Sequence, residues 1–303
     1  MKTLSKNAII GYPAGIITGI TYGLNPLFAV PLMREGAPIE SILFFRYAIA
    51  VVLLGAFLVM RKQSFKVSWK QAGVLLVLGL LYTASSLTLF EAYQYIASGL
   101  ANTPPGPATT IVFLYPVLVA IIMVFLKVVP SWPVWLSIVL TFFGVFIMTQ
   151  SDSSQTLHPM GLLLSFMSAL VYALFIVIIN RSKIIANISN SLLTFYALSV
   201  GTVVFLAKIA MSDAGVTTGL TGHMAWLNLV GLALLPTIVS TASLAIATRN
   251  IGATKASVLG VFEPVTAILV GTVVFGEALT TNIVVGIAIS IVAITFMIAM
   301  TKR

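Results

Sequence analysis

Residues 256–275 read ASVLGVFEPVTAILVGTVVF, a stretch in which Glu263 is the only charged side chain. An α-helix crosses the hydrocarbon core of a bilayer in about 20 mostly apolar residues, so this stretch is long enough to span a membrane. Glu263-Pro264 interrupts it, because proline lacks an amide donor and a carboxylate in lipid is costly. The stretch therefore predicts a membrane helix with a break whose polar groups face a cavity instead of lipid.

The composition of the whole chain is that of an integral membrane protein. Of its 303 residues, 59% are apolar and 8% are charged, and the mean hydropathy is +1.11. A soluble domain carries about a quarter of its residues as charges, so this chain lacks the polar surface that water requires. We predict an all-α polytopic protein with ten transmembrane helices. The predicted spans are Ala8–Leu32, Ile39–Met60, Ala72–Tyr95, Ala108–Leu126, Trp132–Thr149, Gly161–Ile179, Leu192–Met211, Ala225–Thr248, Ala256–Phe275 and Thr281–Met300.

The basic residues outside these spans fall almost entirely on one side of the predicted membrane. Counting alternate loops places thirteen of the 16 Lys and Arg residues on one side and Arg34 alone on the other, while Arg46 and Lys208 lie inside spans. Because cytoplasmic loops are rich in Lys and Arg, both termini are predicted to be cytoplasmic. The net charge of +9 does not indicate nucleic-acid binding, since these charges form short scattered clusters and no basic face.

The opening stretch has a counterpart in the first half of the chain. Residues 109–117, TTIVFLYPV, align with residues 257–265, SVLGVFEPV, and place Tyr115-Pro116 opposite Glu263-Pro264. The register holds if residues 102–108, NTPPGPA, are an insertion, a surface loop that is either a lid or neutral. Five helices are an odd number, so the second copy must enter the membrane from the opposite face. We therefore predict two inverted five-helix repeats, residues 1–150 and 151–303.

The chain resembles the drug/metabolite transporter superfamily of the EamA type. The resemblance covers essentially the whole chain and rests on the two five-helix halves, on Glu263-Pro264-Val265 and on the string Phe275-Gly276-Glu277. The first half departs from the motif, with Tyr115 opposite Glu263. The resemblance implies export of amino acids, other metabolites or toxic compounds, and the family includes an aromatic amino acid exporter.

Charged side chains inside spans are candidates for function, because each costs a few kcal/mol to insert on translocon scales. We predict coupling or gating roles for Arg46 and Glu263, the latter through exchange of protons. The alternatives are an Arg46–Glu91 ion pair, a snorkelling Arg46 and a structural, bridging Glu263. Lys208 is predicted to snorkel towards the interface.

Prolines, aromatic rings and small polar groups recur in several spans. Helix breaks are predicted at Asn25-Pro26, Pro116, Pro236 and Pro264, and Pro116 and Pro264 join the gating candidates. Rings with a few hydroxyls and amides suit an amphiphilic solute, although Ser and Thr equally serve as contacts between membrane helices. The predicted substrate-binding residues are Tyr22, Asn25, Tyr82, Ser85, Ser86, Tyr115, Tyr172, Ser240 and Thr241.

Missing residue types narrow the function. Cysteine is absent, His158 and His223 fall in loops, and no G-x-x-x-x-G-K-[ST] loop is present. We predict no enzyme, no metal and no cofactor. The leading hypothesis is a secondary transporter of the bacterial inner membrane that exports amino acids or related amphiphilic solutes by alternating access, and the resemblance implies aromatic amino acids among them. The alternative is a passive channel. The predicted partners are a small solute and membrane lipid, with no nucleic acid, and the chain is predicted to be a monomer or weak homodimer.

Overall fold

A computed structural model describes residues 6–96, 111–148, 159–211, 215, 217–276 and 279–301, and this part of the chain is helical. The insertion predicted at residues 102–108 lies outside the described residues. The long helices carry few charges and their apolar side chains face both the core and the lipid. The α-helices are α1 Lys6–Gly23, α2 Asn25–Arg34, α3 Ile39–Met60, α4 Trp69–Ile96, α5 Tyr115–Phe125, α6 Trp132–Met148, α7 Pro159–Arg181, α8 Asn190–Ala210, α9 His223–Leu232, α10 Ser240–Ile251, α11 Ala253–Val258, α12 Phe262–Phe275 and α13 Thr281–Thr301.

Eight helical segments within the described residues are long and apolar enough to cross a membrane. Three of them consist of successive helices: α1 with α2, α9 with α10, and α11 with α12. Two shorter apolar helices, Tyr115–Phe125 and Trp132–Ile147, fall where the fourth and fifth spans are predicted. The protein is therefore a multi-pass membrane protein, and the count of ten crossings remains a prediction.

Contacts between helices have counterparts when each helix is replaced by its equivalent in the other half of the chain. Helix α1 packs on α10 and α12, and α7 packs in the corresponding way on α4 and α5. Helix α3 packs on α8, and α6 packs on α13 at the periphery. The predicted inverted repeat would produce equivalent contacts of this kind, and it stays a prediction.

All four predicted helix breaks occur in the structure. A turn at Leu24 precedes Pro26, a turn at residues 113–114 precedes Pro116, and the 3₁₀ turn Leu259–Val261 precedes Pro264. Each of these prolines lies in the first turn of the following helix, where no intrahelical acceptor awaits its missing amide. Pro236 lies instead inside a π-helical segment, Ala233–Val239, between α9 and α10.

A stripe of glycines on α1 lets this helix pack closely against α10, α12 and the turn before α12. Its members are four residues apart, so they share one face of α1, and each lies where a methyl group would meet a neighbouring helix. Such small-residue spacing permits close backbone approach in membranes, and it was not among the predicted features. The glycine stripe consists of Gly11 against Ile251, Gly15 against Leu259, Gly19 against Phe262 and Gly23 against Glu263.

Candidate solute-binding site

A closed circuit of aromatic rings and one guanidinium lies between the halves of the bundle. Helices α1, α3, α4 and α7 supply its members, which are all buried. Centroid separations of 5.2 to 6.3 Å place neighbouring rings in contact. The Cζ of Arg46 lies 5.9 Å from the centroids of both the Tyr22 and the Tyr47 ring and so closes the circuit. In order, this aromatic circuit is Arg46, Tyr22, Tyr172, Phe175, Tyr82 and Tyr47.

The circuit contains three predicted tyrosines together with two aromatic residues that were not predicted. Tyr47 belongs to the string FRYA at residues 45–48, directly after Arg46. Phe175 lies one helical turn beyond Tyr172 on α7, so both rings share one face. Phe175 could have been predicted from this three-residue spacing after Tyr172.

The π-helical segment holds Arg46. Proline lacks an amide proton, so Pro236 cannot donate to the carbonyl of Leu232, its α-helical partner. The Thr237 hydroxyl donates to that carbonyl at 2.8 Å. The same hydroxyl accepts from Nε of Arg46 at 2.5 Å, and Nη2 of Arg46 donates to the Pro236 carbonyl at 3.3 Å. The break thus supplies two acceptors to a cation inside the bundle.

Two alternatives for Arg46 are wrong. Arg46 has no exposed surface, so it does not snorkel, and it does not pair with Glu91. Glu91 accepts instead from Lys208 at 3.1 Å, and Lys208 also pairs with Glu40 at 3.2 Å. The three side chains are 29% to 36% exposed, so this ion cluster lies at the rim of the bundle.

Two hydroxyl contacts fix the rings of the circuit. Ser86 shares a hydrogen bond of 2.6 Å with the Tyr47 hydroxyl, and Thr241 donates to the Tyr82 hydroxyl at 3.1 Å. The predicted residues Ser86 and Thr241 therefore lie beside the circuit and orient it. Thr241 comes from α10, in the second half of the chain.

Ser85 and Ser240 lie at helix crossings. Ser85 and Ser168 each donate to the other's carbonyl across α4 and α7, at 3.3 and 2.9 Å. Ser240 and Thr18 do the same across α10 and α1, at 3.3 and 3.4 Å. Their hydroxyls join helices, which is the alternative role that Ser and Thr have in membranes.

Tyr115 connects the circuit to the 3₁₀ turn before α12. Its ring lies 5.0 Å from that of Tyr172 in an edge-to-face arrangement. Its hydroxyl occupies the place of the missing side chain of Gly260, in the 3₁₀ turn before α12. Pro116 and Pro264 are both buried at the starts of α5 and α12.

Glu263 is the acidic group of the site. Within the described residues its carboxylate has no hydrogen bond and no ion pair, yet it lies close enough to Tyr22, Tyr115 and Tyr172 to interact electrostatically with each. It keeps accessible surface although it lies among buried residues.

Asn25 adds a second unpaired acceptor. Its amide nitrogen donates to the Tyr22 carbonyl at 2.9 Å, next to the Leu24 break. Its Oδ1 is buried and has no partner. The described residues hold no group of three His, Asp or Glu side chains that could bind a metal ion.

Comparison with known proteins gives the family. The sequence profile of the EamA-like transporter family matches residues 9–150 and again residues 159–299. An uncharacterized transporter of Archaeoglobus fulgidus is 26% identical over 193 residues, which cover 64% of this chain and 66% of that protein. A crystal structure of another protein superposes with a TM-score of 0.77 at 16% identity, over 99% of this chain and 100% of that one, which shows a shared fold. The two profile matches show that this membrane protein belongs to the EamA-like transporter family.

Proposed function

We propose that this transporter is a secondary carrier that exports amino acids or related amphiphilic solutes by alternating access, with the aromatic circuit as its solute site. The observation that carries the proposal is the circuit itself. Its rings come from α1, α3 and α4 of the first half and from α7 of the second, and Tyr115 of α5 and Glu263 of α12 adjoin it. Inverted-repeat carriers bind solute at such an interface between halves.

The chemistry of the site suits an amphiphilic solute. The rings of Tyr22, Tyr82 and Tyr172 offer apolar contact area, while Arg46, Glu263 and Asn25 offer charge and hydrogen bonds. A site for a wholly apolar solute would gain nothing from buried charged groups, which are costly inside a membrane. A solute with both apolar and charged parts uses all of these groups.

The arrangement also supports alternating access. Helices α5 and α12 both begin at a break beside the circuit, and their partners α7 and α1 belong to opposite halves. Rocking one pair against the other would expose the site first to one side and then to the other. We further propose that the protein lies in the bacterial inner membrane as a monomer or weak homodimer, with both termini cytoplasmic.

Counterflow in proteoliposomes tests the carrier function. Vesicles preloaded with an unlabelled amino acid should accumulate the same labelled amino acid transiently, and the initial rate should saturate and rise with the internal concentration. A passive channel would let the label equilibrate without overshoot or trans-stimulation, and that result would replace the carrier by the channel.

The Glu263 carboxylate is proposed to couple the solute to protons. Replacing Glu263 by Gln keeps the shape of the side chain and removes its charge, so transport should lose its pH dependence. Glu91→Gln is the matched control, because Glu91 pairs with Lys208 at the rim of the bundle. Unchanged transport and unchanged pH dependence in folded Glu263→Gln would leave Glu263 a structural role only.

A further inference from the structure

One nitrogen of the Arg46 guanidinium is left without a hydrogen-bond partner. Nε and Nη2 are bound to Thr237 and Pro236, which fix the plane of the group. Nη1 is buried and has no hydrogen-bond partner, although a guanidinium nitrogen of this kind carries two protons. The rings of Tyr22 and Tyr47 lie beside the group at 5.9 Å.

This arrangement leaves a buried cation without an anion. Within the described residues, the ion pairs closer than 4.0 Å involve Lys208, and none involves Arg46. A buried charge is normally paired, because the cost of removing it from water is large. Two neutral oxygens and two rings offset part of that cost, and an anion at Nη1 would offset more.

We propose that Arg46 determines the specificity of the solute site: Nη1 donates to a carboxylate of the solute, while the rings of the circuit contact the solute's apolar part. The inference rests on the proposed solute site and names the chemical class that this site accepts. It gives Arg46 a direct contact with the solute, in place of the gating role that its position in a span first indicated.

Carboxylate is the group that this geometry fits. Hydrogen bonds between guanidinium and carboxylate are short and charge-assisted, and the fixed plane of Arg46 presents Nη1 in one direction. Nη1 has no accessible surface in this conformation, so the solute reaches it when Tyr22 or Tyr47 moves aside. Movement of α1, which carries Tyr22, against α3, which carries Tyr47, would open that path.

Two kinds of solute carry the required carboxylate, a zwitterionic amino acid and a plain organic acid. The buried acceptor Oδ1 of Asn25 lies in the residue that binds the backbone of Tyr22. An ammonium group would satisfy that acceptor, whereas an organic acid would leave it unpaired. A preference for the amino acid over the corresponding acid would assign Oδ1 to the ammonium group.

Two series of analogues test the proposal on the purified, full-length protein. The aromatic series is phenylalanine, phenethylamine and phenylpropionate, and the aliphatic series is leucine, isoamylamine and isocaproate. Affinity is measured from ligand-induced thermal stabilisation, and counterflow is measured in parallel. In at least one series the amino acid or the acid should bind about 10- to 100-fold more tightly than the amine, as expected for a hydrogen bond to a charged group.

The variant Arg46→Gln should bind the carboxylate ligand about 10- to 100-fold more weakly and should bind the amine with unchanged affinity. The preference for the carboxylate ligand then disappears. Arg46→Lys should keep part of it, because the charge remains and the fork is lost. Arg249→Gln is the control: Arg249 is only partly buried, and like Arg46 it binds backbone carbonyls, those of Ile188 and Ile185. It should keep the preference of the native protein.

Several outcomes would overturn the assignment. Equal binding of amine and amino acid by the native protein would do so, as would equal losses for both in Arg46→Gln or the absence of carboxylate binding in both series. If Arg46→Gln does not fold, Arg46→Lys and the native preference still decide. Counterflow of amines without any carboxylate preference would refute the role proposed for Arg46 and leave the carrier function standing. Carboxylate binding that depends on Arg46, without counterflow, would refute the carrier function and leave the role of Arg46 standing.

Discussion

Replacing Gly23 by alanine tests how closely α1 approaches α12. A methyl group built on Gly23 would lie 2.5 Å from the backbone oxygen of Glu263 and 2.6 Å from Cβ of Thr266, whereas ordinary contact begins at 3.4 Å. The oxygen belongs to the backbone and cannot rotate away, so the helices must separate by about 0.9 Å. Overpacking of this kind costs about 1 to 3 kcal/mol.

Gly73 provides the matched control in the same protein. It lies on α4, and a methyl group built there meets no atom within 4 Å. Alanine at an open helical site stabilises by up to about 1 kcal/mol relative to glycine. Gly23 is also helical, so alanine brings a similar gain at both positions, and the free energies of unfolding of the two variants should differ by about 1 to 3 kcal/mol, the overpacking cost.

Unfolding of each purified variant in SDS, followed by its tryptophan fluorescence, measures that difference. Transport should also fall in Gly23→Ala, because the displaced backbone carries Glu263 away from Tyr22. If Gly23→Ala were as stable as Gly73→Ala and transported normally, the close approach along the glycine stripe would be refuted.

Three further predictions concern other contacts. Thr237→Val should lower the free energy of unfolding by about 2 to 4 kcal/mol relative to Thr237→Ser, because it removes one hydrogen bond to a charged group and one to a carbonyl; equal stability in SDS unfolding would contradict the role of the π-helical segment. Lys208→Met should lower the free energy of unfolding by less than about 1 kcal/mol, since the ion pairs of Lys208 are a third exposed, and this loss should be smaller still in high salt. A larger loss would mean that these ion pairs behave as buried ones. Reporter fusions at Arg303 and at Asp213 should report opposite compartments, and one compartment for both would overturn the predicted ten-helix topology.

Hydropathy and proline positions predicted much of the helical organisation. Pro116, Pro236 and Pro264 coincide with interruptions because the missing amide acts locally, and a local effect is visible in one sequence. Long apolar runs likewise predicted the membrane helices, since their length is set by the bilayer.

Contacts between distant positions were harder to predict. Arg46 binds Thr237, 191 residues away, through a π-helical segment that hydropathy does not detect. Glu91 was a plausible partner by charge alone, but Lys208 holds it at the rim. Ser85 and Ser240 have the composition of solute ligands and lie at crossings, because a hydroxyl's role depends on the helix opposite. The glycine stripe was visible as a four-residue period and was overlooked.

The contact between Tyr115 and Gly260 makes the two positions interdependent during evolution. The phenolic hydroxyl fills the space that any side chain at position 260 would need. A methyl group at 260 would also lie 2.7 Å from the ring carbon Cζ of Tyr115, so a mutation that adds it should be tolerated only in a background where the side chain at 115 has already become smaller than a phenyl ring. The reverse order passes through a transporter in which Tyr115 no longer fits against the turn before α12. Homologues should therefore exchange these two residues as a pair, and the order of the two substitutions along a lineage should be fixed.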